Sequence, residues 1–274
     1  MNRPAGPIGV FDSGVGGLTV VRELRRVLPD ESVLYFGDTA RVPYGPKSPE
    51  AVRRYAREAA AFLLGRGIKM MVVACNTATA HAIDALQDEL PVPVVGVIQP
   101  GARAAVAATR SGRIGVVGTA GTIASGAYDR QIRQLLPDAR VFAQACPLFV
   151  PLVEEGWLDH PATRIIAAEY MAPLQKVDVD VLILGCTHYP LLRPTLADVL
   201  GPVITLVDSA AETVAEVQRI LDAERLRRTD EAPPRHAFAV SDAPLRFRDA
   251  ARRFLDEAID EVETVCIDQY DRPE

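Results

Sequence analysis

Short apolar runs alternate with amphipathic stretches along most of the chain. The apolar runs are bounded by Gly, Pro and polar residues, as is typical of buried parallel strands. The stretches between them have helical spacing, and Ser48 and Pro49 provide an N-cap and a first helical residue for one of them. Strands and helices in this order predict βαβ units and a parallel sheet. The predicted strands are 8–11, 33–38, 70–75, 92–98, 113–119, 139–146 and 179–186, and the predicted helices are 18–28, 49–67, 77–90, 124–136 and 160–175.

The two halves of the chain resemble each other. IGVFDSGVGG, from residue 8, is similar to IGVVGTAGTI, from residue 114. Each half also has an apolar run that ends in a cysteine, Cys75 or Cys186. Ligands of open α/β sheets bind beyond the carboxyl ends of the strands, where both cysteines lie. We therefore predict an α/β protein with two pseudo-symmetric parallel-sheet domains facing a central cleft, which the two thiols approach from opposite sides.

The C-terminal part of the chain has a different pattern. It comprises a polar connection (222–236), a strand (236–240), a helix (245–259) and a second strand-like run (262–268). We predict that this segment packs against the first half. The first domain would then contain residues 1–98 and 208–274, and the second domain would contain residues 99–207.

Composition and charge narrow the function classes. Hydrophobic residues make up 49% and charged residues 24%, as in globular proteins. With 30 Lys and Arg against 36 Asp and Glu, the net charge of -6 argues against nonspecific nucleic-acid binding. No apolar run is long enough for a membrane span, and the N-terminus has no signal-peptide pattern. A cytoplasmic protein without nucleic-acid or membrane partners is expected.

Two of the four cysteines are candidates for chemistry. Cys146 and Cys266 are expected to be small core hydrophobes, as most buried cysteines are. Cys75 and Cys186 each precede polar residues and a predicted helix N-terminus, which would lower the pKa of a thiol. Inversion of a stereocentre with an acidic C–H needs a base on one face and an acid of similar pKa on the other. A pair of thiols facing one carbon meets that requirement.

Other interpretations explain less of this pattern. A zinc site from Cys75, Cys186 and His188 would have unusual spacing and lacks an evident fourth ligand. A Cys-His nucleophile would use one cysteine and leave the other unexplained. A C-x-x-C redox pair is absent, and widely separated cysteines in a chain of this length do not indicate a disulfide framework. We predict neither a metal nor a cofactor.

Several further residues could contact a ligand. FDSGVGGLT (11–19) is similar to a dinucleotide-binding loop, but Thr19 stands where the last glycine should be. Asp12 in this stretch is either a helix N-cap or an acid–base partner. The loop with Pro43, Tyr44 and Gly45 would hold a backbone N–H in place. Thr119 and Thr122 offer hydroxyl groups to an anion.

His188 and Glu154 each allow two interpretations. His188 is either a core histidine or, two residues after Cys186, a proton partner of that thiol or a substrate contact. Glu154, in FVPLVEEGW, is either on a solvated helix face or a functional carboxylate.

The motifs together resemble those of the glutamate racemases, within the wider aspartate and glutamate racemase family. The resemblance covers nearly the whole chain and is carried, in order, by FDSGVGGLTV, YFGDTARVPYGPKS, VVACNTATA, GVVGTAGTI, CPLFVPLVEEG and LGCTHYPLL. It implies two α/β domains around a cleft and cofactor-independent interconversion of L- and D-glutamate. Cys75 would remove the α-proton of D-glutamate, and Cys186 that of L-glutamate.

The resemblance also implies roles for the other residues. Asp12 would assist Cys75, His188 would assist Cys186, and Glu154 is a further acid of the catalytic set. The implied substrate-binding residues are Asp12, Ser13, Pro43, Tyr44, Gly45, Asn76, Thr77, Thr119, Thr122, Thr187 and His188. The family's role in bacteria implies D-glutamate for peptidoglycan, and a homodimer is expected.

Two alternatives to this function remain open. The chain could racemise aspartate or another small acidic amino acid, although His188 and residues 43–45 favour glutamate. It could also be a two-lobed protein that binds glutamate without turning it over, against which the paired cysteines argue.

One departure from the family pattern is Gln99, where an acid is more usual. Because the chain starts almost directly at its first strand, activation through an N-terminal extension, known in some members, is not expected.

Overall fold

The strands form two separate sheets. The structure is a computed structural model that describes residues 4–270. The first sheet contains β1 (Ile8–Asp12), β2 (Val33–Gly37), β3 (Met70–Val73), β4 (Val94–Gly96), β9 (His236–Val240) and β10 (Glu263–Thr264), in the order β10-β9-β2-β1-β3-β4. The second contains β5 (Arg113–Gly118), β6 (Arg140–Ala145), β7 (Val181–Gly185) and β8 (Thr205–Val207), in the order β6-β5-β7-β8. All strand pairs are parallel, which confirms the predicted fold class.

Helices connect the parallel strands and cover the sheets. Strands β1, β2, β3 and β7 are buried along their whole length, since helices pack on both faces. Ser48 caps one helix as predicted, because its side chain accepts a hydrogen bond from the Ala51 N–H. The helices are α1 (Leu18–Val27), α2 (Pro49–Gly65), α3 (Asn76–Glu89), α4 (Ile98–Ala108), α5 (Ala120–Ala124), α6 (Ala127–Leu135), α7 (Phe149–Glu154), α8 (Pro161–Gln175), α9 (Arg193–Leu200), α10 (Ser209–Ala223) and α11 (Pro244–Leu255), with 3₁₀ turns at Tyr189–Leu192 and Ile267–Tyr270.

Local backbone geometry changes three predicted elements. The predicted strand 92–98 is shortened to β4, since α4 already begins at Ile98. The predicted helix 124–136 is replaced by α5 and α6, with Gly126 between them at φ 65°. The predicted helix 245–259 stops at Leu255, because Asp256 adopts a left-handed conformation with φ 59°.

Cys266 does not behave as predicted. Cys146 is fully buried, as expected of a small core hydrophobe, but Cys266 is exposed. The strand predicted over 262–268 is reduced to β10, and Val265 and Ile267 both face the core. Because side chains in extended chain alternate between faces, the intervening Cys266 faces solvent. The prediction of a core position for this cysteine was wrong.

The C-terminal segment joins the first sheet. Strand β9 pairs with β2 along its whole length, from the Val33–His236 pair to the Gly37–Val240 pair, and β10 pairs with β9. The assignment of residues 1–98 and 208–274 to one domain and 99–207 to the other stays a prediction.

The strands of both sheets end at candidate residues. Asp12 ends β1, and Cys75 lies just beyond β3. Thr119 follows β5 directly, and Cys186 follows β7 directly. These side chains therefore lie at the carboxyl edges of the two sheets, where open α/β folds bind ligands.

A buried ion pair joins two strands of the first sheet at their amino ends, away from the candidate residues. The Lys69 ammonium, just before β3, contacts the Glu31 carboxylate, just before β2, and both side chains are almost completely buried. The second carboxylate oxygen of Glu31 accepts a hydrogen bond from the Arg228 N–H at 3.0 Å. Lys69→Met would leave a buried carboxylate without its cation. We expect it to lower the free energy of unfolding by about 3–5 kcal/mol in urea titrations.

A double variant separates charge from packing. Lys69→Met with Glu31→Leu should recover most of that loss, because no unpaired charge remains buried. Arg133→Met removes an exposed pair with Asp129 and should change stability by less than about 0.5 kcal/mol. A double variant as unstable as the single one would contradict this account.

Candidate active site

Both candidate cysteines line one small cavity between the sheets. Its volume of about 30 Å³ leaves room for about two water molecules. Of the predicted site residues, Asp12, Thr122 and Glu154 do not line it but lie behind residues that do. The lining residues are Ser13, Val42, Pro43, Tyr44, Gly45, Cys75, Asn76, Thr77, Thr119, Val150, Cys186, Thr187 and His188. Val42 and Val150 were not predicted, since neither carries a polar group.

Cys75 forms the N-cap of α3. Its Sγ accepts a hydrogen bond from the Ala78 N–H at 3.4 Å, and its side chain is buried. Burial raises the pKa of the Cys75 thiol, and the nearby charge of Asp12 raises it further. Hydrogen bonds from the Ser13 side chain and the Ala78 N–H lower the pKa, but the net effect is a rise to about 12. The prediction that a helix N-terminus lowers this pKa was therefore wrong for the free protein. The penalty for a charge on a buried thiol exceeds the benefit of one N–H.

Asp12 lies at the end of β1 and is completely buried. Its Oδ2 accepts a hydrogen bond from the Gly14 N–H at 2.9 Å, while Oδ1 has no partner. The helix that follows is capped by Gly17 rather than by Asp12, so the N-cap interpretation does not hold. Burial raises the pKa of Asp12, although the charge of His188 and the N–H groups of Gly14 and Gly17 oppose the shift. Oδ1 is therefore a buried acceptor without a partner, behind the residues that line the cavity.

A histidine and a glutamate lie in line behind Cys186. His188 Nδ1 is 3.8 Å from the Cys186 Sγ, and His188 Nε2 is 3.1 Å from Glu154 Oε1. Burial lowers the pKa of His188, but its bonds to Cys186 and Glu154 outweigh burial and raise the pKa to about 10. Burial likewise acts to raise the pKa of Glu154, and the bond to His188 outweighs it and lowers the pKa. The pair therefore favours an imidazolium beside the thiol and a carboxylate behind it.

Three threonine hydroxyls meet where the two sheets approach each other. Thr77 Oγ1 lies 2.8 Å from Thr119 Oγ1 and 3.1 Å from Thr122 Oγ1, and the last two are 3.1 Å apart. Thr77 belongs to α3, while Thr119 is the N-cap of α5 and Thr122 lies within α5. Each hydroxyl can rotate to donate to an anion. The cluster can hold a carboxylate group at this end of the cavity.

The loop with Pro43, Tyr44 and Gly45 closes over the same cavity. Its Gly45 carbonyl accepts a hydrogen bond from the Gly121 N–H of the second half at 2.9 Å. The contact therefore uses a carbonyl of the loop, whereas the sequence suggested a positioned N–H. A larger apolar pocket of about 410 Å³ lies beside it, lined by Val42, Pro43, Gly45, Pro46, Thr119, Ala120, Pro147, Val150, Pro151 and Glu154.

Asp38 and Tyr128 support the site and were not predicted. Asp38 is completely buried and accepts hydrogen bonds from the Tyr44 hydroxyl, from Arg41 Nε at 2.7 Å and from Ser241 Oγ at 2.8 Å. It follows β2 directly, so its position at a strand end was a signal that could have found it. Tyr128 donates to Asn76 Oδ1 at 2.7 Å from a helix of the second half, and no local pattern indicates that contact.

Within residues 4–270, no group of three or more His, Cys, Asp or Glu side chains is arranged to hold a metal ion. None of the helices in this range has the length and apolar character needed to cross a membrane.

The chain is similar in sequence to enzymes of known class. Residues 10–217 match the model of the Asp/Glu/hydantoin racemase family, and the chain belongs to this family. It is a racemase, an enzyme that inverts a stereocentre.

Three relatives in this family are glutamate racemases. The chain is 53% identical to a glutamate racemase of Syntrophus aciditrophicus over 94% of this chain and 96% of the relative. The structure of a glutamate racemase from Bacillus anthracis matches with a TM-score of 0.91 at 43% identity, covering 95% of this chain and 97% of that one. A glutamate racemase from Francisella tularensis in complex with D-glutamate matches with a TM-score of 0.92 at 36% identity, covering 97% and 100%.

The raised pKa of His188 predicts how stability changes with pH. A group with a pKa of about 10 in the folded protein and 6.5 when unperturbed stabilises the fold fully below pH 6.5. That contribution is lost as the pH rises through 10. The difference in free energy of unfolding between wild type and His188→Gln should therefore be largest near pH 6 and shrink towards pH 10 in urea titrations.

His81 provides a comparison, because its pKa shifts in the opposite direction from that of His188. Burial lowers the pKa of His81, so its protonation affects stability only below its unperturbed value. The difference between wild type and His81→Gln should be constant above pH 7. If His188→Gln also gave a constant difference, the imidazolium assigned to His188 would be wrong.

Proposed function

We propose that this protein interconverts L- and D-glutamate by proton transfer between the α-carbon and two cysteines, without a cofactor. The observation that carries the proposal is that Cys75 and Cys186, from the ends of strands in different sheets, line the same cavity. Each thiol has its own acidic or basic partner, Asp12 near Cys75 and His188 beside Cys186. The names and close similarity of the relatives support glutamate as the substrate.

The two thiols act on opposite faces of the substrate. In the L-to-D direction, a thiolate on Cys186 removes the α-proton, and the thiol of Cys75 donates a proton to the other face. The raised pKa of Cys75 keeps this thiol protonated until the substrate binds. The imidazolium on His188 stabilises the thiolate on Cys186, and Glu154 stabilises that imidazolium. In the reverse direction, Cys75 removes the proton, Asp12 assists it, and Cys186 donates.

Polar groups at the cavity match the charges of glutamate. The unpaired Asp12 Oδ1, which a substrate would reach as the cavity enlarges, is suited to the substrate ammonium. The hydroxyls of Thr77 and Thr119, with Thr122 behind them, are suited to a carboxylate. Ser13, Asn76, Thr187 and His188 complete the polar lining, while Pro43, Tyr44 and Gly45 cover it. Donors positioned before the reaction stabilise negative charge as it develops on the α-carboxylate.

The cavity must enlarge to admit glutamate. A volume of about 30 Å³ is smaller than an amino acid, and the closure includes the hydrogen bond between Gly121 and Gly45. Separation of the two halves at this bond would open the cavity towards the apolar pocket beside it. Closure around the substrate then excludes water from the carbanion-like intermediate.

The biological setting is part of the same proposal. The product D-glutamate would supply peptidoglycan synthesis in the cytoplasm, and the active form would be a homodimer. The domain containing residues 1–98 and 208–274 would provide Asp12 and Cys75, and the domain of residues 99–207 would provide Glu154, Cys186 and His188.

Proton exchange tests the two-thiol mechanism. Protein free of metal and pyridoxal phosphate is incubated with L-glutamate in D₂O, and optical rotation and α-deuterium are followed. We expect racemisation with deuterium uptake in the wild type. Cys75→Ser and Cys186→Ser should each lower kcat by at least about 10²–10⁴-fold, because a serine hydroxyl is a much weaker acid–base group.

The exposed thiol provides a control for this experiment. Cys266→Ser should racemise glutamate at the wild-type rate, since this side chain faces solvent away from the cavity. Binding of glutamate with retention of its α-proton would instead indicate a binding protein. Racemisation of aspartate in place of glutamate would indicate the other enzymatic alternative.

The threonine cluster should determine how well the carboxylate is held. Thr77→Val keeps the shape of the side chain and removes a hydroxyl that lines the cavity. We expect kcat/KM for glutamate to fall about 10–100-fold, as expected for a lost hydrogen bond to a charged group. Thr79→Val is a matched control two residues along α3, where a buried hydroxyl bonds to the Val73 carbonyl at 2.9 Å. An equal loss in both variants would contradict the role of the cluster.

A further inference from the structure

Helix α11 links the C-terminal segment to the proposed acid–base residues. Its buried face consists of Phe247, Ala251, Phe254 and Leu255, and it packs on α1 of the first half. At its C-terminal end it also reaches residues of the second half. Two consecutive side chains, Arg253 and Phe254, make those contacts.

Phe254 packs against the ring of His188. The ring centroids are 5.5 Å apart with an angle of 86° between the planes, which is an edge-to-face arrangement. Phe254 is completely buried, so its position is defined by the core around it. Aromatic pairs with this geometry contribute about 0.5–1.5 kcal/mol beyond the area that they bury. The contact restricts rotation of the imidazole that lies between Cys186 and Glu154.

Arg253 holds the main chain that carries Glu154. Its Nη1 donates a hydrogen bond to the Glu154 carbonyl at 2.6 Å. The guanidinium also lies against Gly156, where an added Cβ would come within 3.1 Å of Arg253 Nε. Gly156 has φ 76°, so the chain turns sharply at this point with little room for a side chain. The cation thereby positions the end of α7, from which the Glu154 carboxylate reaches His188.

The end of α11 is itself attached to the first half. Asp256, at the helix C-cap, forms an ion pair with Arg22 of α1 at 3.2 Å, and Glu257 forms one with Arg25. These pairs are exposed and individually weak. Together with the buried face of α11, they place Arg253 and Phe254 relative to the first sheet.

We propose that Arg253 and Phe254 are positioning residues that hold Glu154 and His188 in line with Cys186. The contacts come from the segment that pairs with the first sheet, whereas the histidine and the glutamate belong to the second half. The second acid–base group is therefore fully aligned only when the two halves are packed together. This inference rests on the two-thiol function proposed above.

The proposal predicts an effect on one of the two proton-transfer steps, the one at Cys186. Cys186 removes the proton of L-glutamate, and Cys75 removes that of D-glutamate. If His188 loses its alignment, the step at Cys186 slows in both directions of the reaction. Removal of the L-glutamate proton then becomes more rate-limiting, while removal of the D-glutamate proton becomes less so.

Primary isotope effects on kcat/KM, measured with L- and D-glutamate deuterated at the α-carbon, test this directly. For Phe254→Leu we expect kcat/KM to fall roughly tenfold to a hundredfold, because small misplacements of catalytic groups have effects of this size. The isotope effect should rise with L-glutamate and fall with D-glutamate. Arg253→Met should shift both isotope effects in the same directions by smaller amounts. Because Arg253 is exposed, we expect this variant to fold.

Two matched controls show the effect of the substitutions alone. Phe62→Leu removes a completely buried ring of α2, which packs on Phe36 and Tyr270 away from the cavity. Arg252→Met removes the neighbouring exposed arginine on α11. Both controls should keep the wild-type isotope effects for the two enantiomers.

The outcomes separate this inference from the proposed function. If the wild type exchanges the α-proton but Phe254→Leu and Arg253→Met change both isotope effects equally or not at all, the positioning role is overturned. If the wild type neither racemises glutamate nor exchanges its α-proton, the proposed function fails, and this inference fails with it. Opposite shifts for the two enantiomers, absent from both controls, support the positioning role.

Discussion

Burial of ionisable groups around a small cavity is the constraint on which the rest of the site depends. A charge removed from water is costly unless a partner compensates for it. On one side burial dominates and raises the pKa values of Cys75 and Asp12. On the other side the bonds of His188 to Cys186 and Glu154 outweigh burial and favour the charged imidazole. Similar strand ends therefore present two thiols in different electrostatic settings.

The difference between the two sides gives a physical basis for a reversible reaction. In the proposed mechanism, a protonated thiol and a thiolate are both needed at the start of each turnover, and the two positions exchange these states when the direction reverses. The surroundings of Cys75 favour the protonated form of its thiol, while a positively charged imidazole lies beside Cys186. Entry of a substrate ammonium next to Asp12 would weaken the preference of Cys75 for its protonated form, because it adds a positive charge beside the unpaired Oδ1.

Contacts between the two halves determine the shape of the cavity. The hydroxyls of Thr77 and Thr119 are 2.8 Å apart, and the Tyr128 hydroxyl bonds to Asn76 at 2.7 Å. The Gly121 N–H bonds to Gly45 at 2.9 Å. Each contact joins a residue of the first half to one of the second. Any opening of the cavity between the halves would therefore break these polar contacts.

The sequence by itself determined most of the strands, the parallel pairing and the strand ends that carry polar residues. Hydrophobic runs and the order of strands and helices are local patterns, and they predicted the fold class confirmed by the two sheets. Only the tertiary structure decided the pKa of Cys75, the exposure of Cys266 and the contacts of Asp38, Tyr128 and Phe254. These properties depend on desolvation and on neighbours distant in sequence, and local patterns do not contain either kind of information.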